Sequence, residues 1–184
     1  MHVPTVGRMY QKRLVVSAEL GYKVKFGAAD QFVSVIYDGH SSMLPCEQYL
    51  DDAARSVVIV SPYLQKGRIV KLLPSLQKAA ASGVEIAIHT RTAESGKLAN
   101  QESVCEAIEM MRQTGIVVHT HKELNQRYAV VDESVVWYGG VDFLAFGRKD
   151  TDVLRFKNPD IAGEFLSLSG HTESEQLVME DVSM

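Results

Sequence analysis

The chain of 184 residues carries a formal net charge of −4, with 46% hydrophobic and 23% charged residues. These values are typical of one globular domain with a substantial core, and the negative balance gives no general attraction to nucleic acid. No apolar run approaches the roughly 20 residues needed to span a bilayer. The first eight residues lack the apolar core of an export signal, so we expect a cytoplasmic protein without a membrane segment. Cys46 and Cys105 are the only cysteines, and we expect both to be reduced and buried.

The first predicted elements are a strand over 32–37 and a helix over 45–55. A β-branched run without alternation then predicts a central strand over 57–61, covered on both faces. A helix over 68–82 follows, and Pro74 should kink it or divide it into two short helices.

The second half of the pattern begins with a strand over 84–90 and a helix over 101–114, which should turn Cys105 inward. A buried strand over 116–118 and a hairpin over 128–131 and 135–138 complete it. From residue 57 onward the order is β-α-β-α-β-β-β, with helices long enough to cross between parallel strands. The sequence therefore predicts an α/β fold in which helices pack on a mixed β-sheet.

The two ends of the chain differ in charge from the middle. Residues 1–30 carry five lysines and arginines against one glutamate before residue 26, and we interpret them as an N-terminal extension or linker. Residues 31–168 form the predicted domain. Residues 169–184 contain Glu173, Glu175, Glu180 and Asp181 but no lysine or arginine, and we expect an acidic flexible tail.

Residues 125–142, NQRYAVVDESVVWYGGVD, carry the most informative pattern. Their spacing resembles the signature of the phospholipase D superfamily, His-x-Lys-x4-Asp followed six residues later by Gly-Ser-x-Asn. The His, Lys and Asp positions are held by Asn125, Arg127 and Asp132. The four positions of the second box are held by Gly139, Gly140, Val141 and Asp142.

The resemblance implies a phospholipase D-like fold but argues against the family's chemistry. That chemistry proceeds through a phosphohistidine, and the amide of Asn125 cannot replace imidazole as a nucleophile. Arg127 keeps a cation suited to a phosphate oxygen pair, and Asp132 begins a hairpin turn. Gly140 removes the serine hydroxyl, and Asp142 places a carboxylate where the family has a neutral amide. A carboxylate repels a phosphodiester unless it is protonated or paired.

Three further segments are similar to phospholipase D-like domains attached to bacterial superfamily two helicases. They are residues 51–63, 84–91 and 137–147, and the resemblance extends over roughly residues 35–168. The sequence contains no Gly-x4-Gly-Lys-Ser/Thr loop of a helicase motor. The resemblance therefore implies that the motor is on another chain or absent, and it suggests a helicase or a restriction-system protein as a partner.

Arg91 is the second candidate for a phosphate contact, because the carboxyl ends of strands line the ligand crevice of an α/β sheet. Tyr63, Trp137 and Tyr138 are candidates for stacking on bases, with core packing favoured for Trp137. Arg148, Lys149, Arg155 and Lys157 alternate with acidic residues, which is more typical of a solvated surface than of a nucleic-acid track.

The histidines at 119 and 121 are weaker candidates. His119 and His121 lie on one strand face, as two ligands of a metal site would. The sequence offers no second cluster of ligands to complete such a site, so we assign no metal and no cofactor. His121 is also considered as a displaced nucleophile. Their default interpretation is as ordinary histidines at the end of a strand.

Two hypotheses of different classes follow. The favoured one is a catalytically inactive phospholipase D-like module that binds DNA, RNA or a protein partner. The alternative is a metal-independent phosphodiesterase or nuclease with a rearranged pocket. Because family enzymes pair two signature motifs and this chain has one, an active form would be a homodimer.

Overall fold

A computed structural model describes residues 33–38, 43–96, 98–146 and 151–177, which form a seven-stranded sheet and its covering helices. The predicted N-terminal extension lies outside the described residues, as do Arg148 and Lys149. The predicted acidic tail is described only as far as residue 177.

The strands are β1 (Val33–Asp38), β2 (Ser56–Val60), β3 (Glu85–Arg91), β4 (Val117–His121), β5 (Tyr128–Val131), β6 (Val135–Gly139) and β7 (Asp152–Lys157). The α-helices are α1 (Met43–Asp51), α2 (Lys66–Ala81), α3 (Gln101–Arg112) and α4 (Pro159–Leu177). Two short 3₁₀ turns, Ala93–Ser95 and Leu98–Asn100, lie between β3 and α3.

The sheet is mixed, with the strand order β1-β7-β6-β5-β2-β3-β4. β2, β3 and β4 run parallel because α2 and α3 cross over between them, whereas β5, β6, β7 and β1 are added antiparallel. The α/β fold expected from the sequence is confirmed. In the β2–β5 pair Val60 lies opposite Tyr128, so the end of β2 meets the beginning of β5.

Separate hydrophobic clusters cover the two faces of the sheet. On one face the buried sides of α1, α2 and α3 pack on residues such as Ile59, Ile88 and Trp137. On the other face α4 packs through Ala162 and Phe165 on strands β5 and β6. This double coverage explains why the run over 57–60 is β-branched without alternation.

α2 continues through Pro74 as one helix rather than two short ones. Proline removes the hydrogen bond that the carbonyl of Val70 would accept, but Val70 and Pro74 both lie on the exposed side. Water can therefore take the place of the missing donor. The buried side of α2 carries Ile69, Leu72, Leu76 and Ala79, at the spacing of a helical stripe.

Several expectations are corrected. β7 and most of α4 were not predicted, and residues 169–177 of the expected tail belong to α4. Cys46 is buried, which raises its pKa to about 12, but Cys105 is exposed because the buried side of α3 runs through Ala107, Ile108 and Met111. No helix in the described part of the chain has the length and apolar character to cross a bilayer.

Arg155 is also not part of a solvated, salt-bridged surface. It lies on β7, donates a hydrogen bond to the hydroxyl of Tyr49, and places its guanidinium 5.4 Å from the centre of that ring. Trp137 is fully buried between Tyr37 and Tyr49, which confirms the expected packing role.

Candidate functional site

Five of the singled-out side chains meet where β2 and β3 end and β5 begins. Arg91 is the last residue of β3, and Asn125 and Arg127 lie in the segment just before β5. Tyr63 follows β2, and Asp142 follows β6 and reaches the same place. We refer to Tyr63, Arg91, Asn125, Arg127 and Asp142 as the two-arginine cluster. The location agrees with the rule that ligands bind beyond the carboxyl ends of parallel strands.

The guanidinium of Arg91 is held in one orientation by three hydrogen bonds. Its Nη2 donates to Asn125 Oδ1 at 2.6 Å, its Nη1 to the hydroxyl of Tyr63 at 3.1 Å, and its Nε to the carbonyl of Leu124 at 2.8 Å. The side chain at the position of the family's histidine therefore serves as an acceptor for an arginine.

Arg127 forms an ion pair with Asp142. Its Nε lies 3.1 Å from Asp142 Oδ2, and its Nη1 donates to the carbonyl of Asn125 at 3.2 Å. The other carboxylate oxygen of Asp142 accepts the backbone N–H of Tyr63 at 3.2 Å. The repulsion expected between Asp142 and a phosphate is therefore reduced, because the carboxylate is paired.

The ring of Tyr63 lies between these two interactions and is 48% exposed. The guanidinium carbons of Arg91 and Arg127 lie 5.1 and 5.8 Å from its centre. Such distances fit cation–π contacts, which pre-orient both arginines around one aromatic surface. The spacing of the motif gave no indication of this arrangement.

Asn125 and Arg127 do not lie on a strand, although the resemblance implied one. β5 begins only at Tyr128, and Arg127 bonds back to the Asn125 carbonyl. The carbonyl of Arg127 nevertheless accepts the backbone N–H of Gly139 on β6 at 3.4 Å, which ties this segment to the sheet.

Asp132 is not part of the cluster. It lies beyond the opposite end of β5, five residues from Arg127, which at the rise of a strand is about 17 Å. Its carboxylate accepts the backbone N–H groups of Ala54, Arg55 and Ser56 at 2.7 to 3.2 Å, and its φ is 51°. The motif aspartate thus fixes the hairpin turn to the start of β2.

Gly140 lies beside the cluster in sequence, just after β6, and it is exposed. A Cβ atom there would lie 3.0 Å from Thr151 Cγ2. A serine at this position would require a small displacement of Thr151.

Three histidines form a stack on β3 and β4. The ring of His89 lies 4.7 Å from that of His119 and 5.3 Å from that of His121, and His89 Nδ1 is 3.1 Å from His121 Nε2. Burial, followed by the charges of the other two rings, lowers the pKa of His89 to about 4. No group of three metal-ligating side chains in the described ranges is arranged to hold a metal ion.

Ser61 was missed by the sequence analysis. It is fully buried, donates to the carbonyl of Tyr63 at 2.9 Å, and accepts the N–H of Leu144 at 3.3 Å. It therefore joins the chain that leaves β2 to the chain that carries Asp142. Its only signal in the sequence is a hydroxyl at the end of a buried strand.

The cluster can bind an anion but offers no imidazole to attack one. Its two guanidinium groups and one carboxylate leave one net positive charge. The only hydroxyl is that of Tyr63, which is occupied by Arg91. The arrangement suits recognition of a single phosphodiester beside an aromatic ring.

The fold is similar to that of phospholipase D family members. Nuc from Salmonella typhimurium, described as such a member, is 16% identical with a TM-score of 0.59, over 74% of this chain and 89% of that chain. NucT from Helicobacter pylori has the same identity and TM-score, over 74% of this chain and 92% of that chain.

A third similar structure is TrmBL2, an archaeal chromatin protein whose structure shows a novel mode of DNA binding. It is 14% identical with a TM-score of 0.56, over 92% of this chain and 60% of that chain. No family model matches the sequence, and no curated protein matches it. The comparisons therefore establish the phospholipase D fold.

Proposed function

We propose that this chain is a catalytically inactive phospholipase D-like module that binds nucleic acid through the two-arginine cluster. The observation that carries the proposal is the bond from Arg91 Nη2 to Asn125 Oδ1 at 2.6 Å. Asn125, at the position where the family has its nucleophile, thus holds an arginine in place. A phosphate at this place meets guanidinium groups, which bind it but do not attack it.

The charge and the aromatic ring support a nucleic acid as the ligand. One net positive charge matches one phosphodiester, and guanidinium groups bind phosphate oxygens in pairs. The half-exposed ring of Tyr63 lies within the same cluster and offers a surface on which a base can stack. TrmBL2 provides a case in which a protein of similar fold binds DNA.

The partner that we propose is a DNA helicase or a restriction-system protein, in the cytoplasm. The similarity of residues 137–147 to helicase-attached domains supports this assignment. These residues include Trp137 in the core and Asp142 in the cluster, so the similar segment connects the fold to the binding site. If the protein binds no nucleic acid at all, only the proposed binding of a protein partner remains.

The test is the fluorescence anisotropy of labelled single- and double-stranded DNA titrated with the protein at low and moderate salt. We expect Arg91→Ala to weaken binding about tenfold, because it removes one charge-assisted phosphate contact. Arg127→Ala should weaken it more, since Asp142 would then be unpaired next to the phosphate. Lys78→Ala removes an exposed charge at the far end of α2 and serves as the matched control.

Binding should also fall with salt, because each neutralised phosphate releases about one counterion. Affinities of Arg91→Ala and Arg127→Ala equal to that of Lys78→Ala would contradict the proposed site.

The alternative function, hydrolysis by a homodimer, requires a substitute nucleophile. His121 is the candidate, but its Nε2 lies 3.1 Å from Nδ1 of His89 and its ring is stacked on that residue. The β3–β4 register places His121 opposite Arg91, so the contact with His89 is what a catalytic role would have to break or use. Light scattering that shows a monomer, together with intact DNA after incubation, would exclude this alternative.

A further inference from the structure

A cavity of about 510 Å³ lies beside the two-arginine cluster, on the side of the sheet that α2 and α3 cover. It opens between the first turns of α2 and α3, and its lining includes Lys66, Gly67, Thr90 and Ser103. Its volume is in the range of small-ligand sites. Tyr63 and Arg91 of the cluster also line it, so the cavity adjoins the cluster and extends from it to the first turns of α2 and α3.

The first turns of two helices line this cavity without side-chain caps. Gln65, the residue before α2, makes no capping hydrogen bond, and the first turn of α2 contains no acidic residue. Asn100, the residue before α3, also makes no capping bond, but the first turn of α3 contains the exposed Glu102, which partly offsets the positive charge of that end. Backbone N–H groups in the first turn have no partner within the helix, and they carry partial positive charge. Two such ends at one cavity favour an anion.

Thr90 gives an independent indication of a ligand. It belongs to β3, is 1% exposed, and lines the cavity. Its Oγ1 has no hydrogen-bond partner among the described residues. A buried hydroxyl without a partner is costly, and a bound oxygen-rich group would provide that partner.

The charges at the entrance are nearly balanced. Lys66 Nζ lies 2.6 Å from Glu106 Oε2, so an ion pair between α2 and α3 neutralises the lysine. Both side chains are about half exposed, at 44% and 50%. An anion would therefore be held by amides and hydroxyls together with Arg91, and Glu106 would limit its affinity.

From these observations we propose that the cavity binds a phosphate monoester group. A monoester has three terminal oxygens, which matches donors arriving from two helix ends and a strand. Two sources share this chemistry, a nucleotide and the 5′-phosphorylated end of a nucleic-acid strand.

The first measurement is a titration of the ¹⁵N-labelled protein with inorganic phosphate, followed by amide chemical shifts up to about 20 mM. We expect the largest shifts at Gly67 and Ser103. Shifts confined to other parts of the protein, or no saturable shift, would overturn the proposal.

Three variants then test the contacts. Ser103→Asp places a carboxylate in the first turn of α3, where it stabilises the helix and should weaken phosphate binding at least about tenfold. Ser167→Asp on α4 is the matched control and should have no effect. Thr90→Val should weaken binding about fivefold without lowering the melting temperature, because the hydroxyl has no partner to lose.

Glu106→Gln should strengthen phosphate binding about threefold, since it releases Lys66 from its ion pair. A gain of affinity cannot result from misfolding. Loss of binding in this variant, or equal losses in Ser103→Asp and Ser167→Asp, would overturn the proposal.

The source is identified by comparing adenosine monophosphate with adenosine, and a 5′-phosphorylated oligonucleotide with its 5′-hydroxyl form. Tighter binding of either phosphorylated partner supports the proposal and names its source, and equal affinities in both pairs would contradict it. Thr90, Ser103 and Glu106 lie outside the two-arginine cluster. A failure of the Arg91 and Arg127 variants to change DNA binding would therefore contradict the proposed function without deciding whether the cavity binds phosphate.

Discussion

Asp142→Asn should increase the affinity of this protein for nucleic acid. The substitution replaces a carboxylate by an amide of the same shape, which the family has at this position. It removes the charge that Arg127 Nε contacts at 3.1 Å, while an amide oxygen can still accept the N–H of Tyr63. Arg127 keeps its bond to the Asn125 carbonyl. The guanidinium therefore remains in place with its charge uncompensated.

The magnitude follows from the repulsion between the carboxylate and a phosphate. A phosphate on the outer edge of Arg127 would lie about 7 Å from Asp142, where two unit charges interact by roughly 0.6 kcal/mol in water and 2.4 kcal/mol at an effective dielectric constant of 20. The side chains of Arg127 and Asp142 are 29% and 17% exposed, so we expect an interaction energy between these two values. About 1 kcal/mol corresponds to a fivefold decrease of Kd.

The assay is the anisotropy of a labelled single strand, with urea unfolding of the same variant. We expect the free energy of unfolding to fall by no more than about 1 kcal/mol, because the lost ion pair is partly exposed. The gain of affinity should shrink with added salt. Glu133→Gln, the same chemical change at the far end of β5, is the control and should leave Kd unchanged. Weaker or unaltered binding by Asp142→Asn would refute the assignment of the phosphate to Arg127.

Other substitutions test the scaffold. Asp132→Ala should lower the free energy of unfolding by about 2 kcal/mol in urea, because three backbone N–H groups lose their acceptor, and DNA affinity should not change. Gly139→Ala should cost at least about 3 kcal/mol in the same assay, since a Cβ would lie 2.3 Å from the Asp152 carbonyl oxygen. A folded, stable Gly139→Ala would contradict the close approach of β6 and β7. The pKa of His89 is lowered to about 4 by burial, so only the unfolded chain gains its proton as pH falls below about 6.5. Stability should therefore fall by about 2 kcal/mol between pH 6.5 and 4 after discounting for solvent screening, and His89→Gln should flatten that part of the profile.

The sequence contained enough local information for most of the fold. The stripes of α2 and α3 and the apolar run of β2 are set by which side chains face the core. β7 was missed because its charged residues Asp152, Arg155 and Lys157 hide the strand pattern, although one of its partners, β6, is close in the sequence. Its other partner, β1, is more than 100 residues away. That pairing is decided by the completed sheet rather than by the local sequence.

The motif spacing located Asn125, Arg127 and Asp142 but did not describe what they do. Their arrangement depends on Tyr63 and Arg91, which join them from other strands. Motif spacing also grouped Asp132 with them, although the length of β5 separates it from the cluster. Contacts between distant parts of the chain therefore determine which motif residues share a site.

One gel experiment tests the central claim directly. End-labelled single-stranded DNA is incubated with the protein in EDTA, and each sample is divided between a native and a denaturing gel. We expect a retarded complex on the native gel, lost in Arg127→Ala, and full-length DNA on the denaturing gel. If the wild type shortens the DNA and Arg127→Ala does not, the protein is a hydrolase with a substitute nucleophile, and this result would contradict the account.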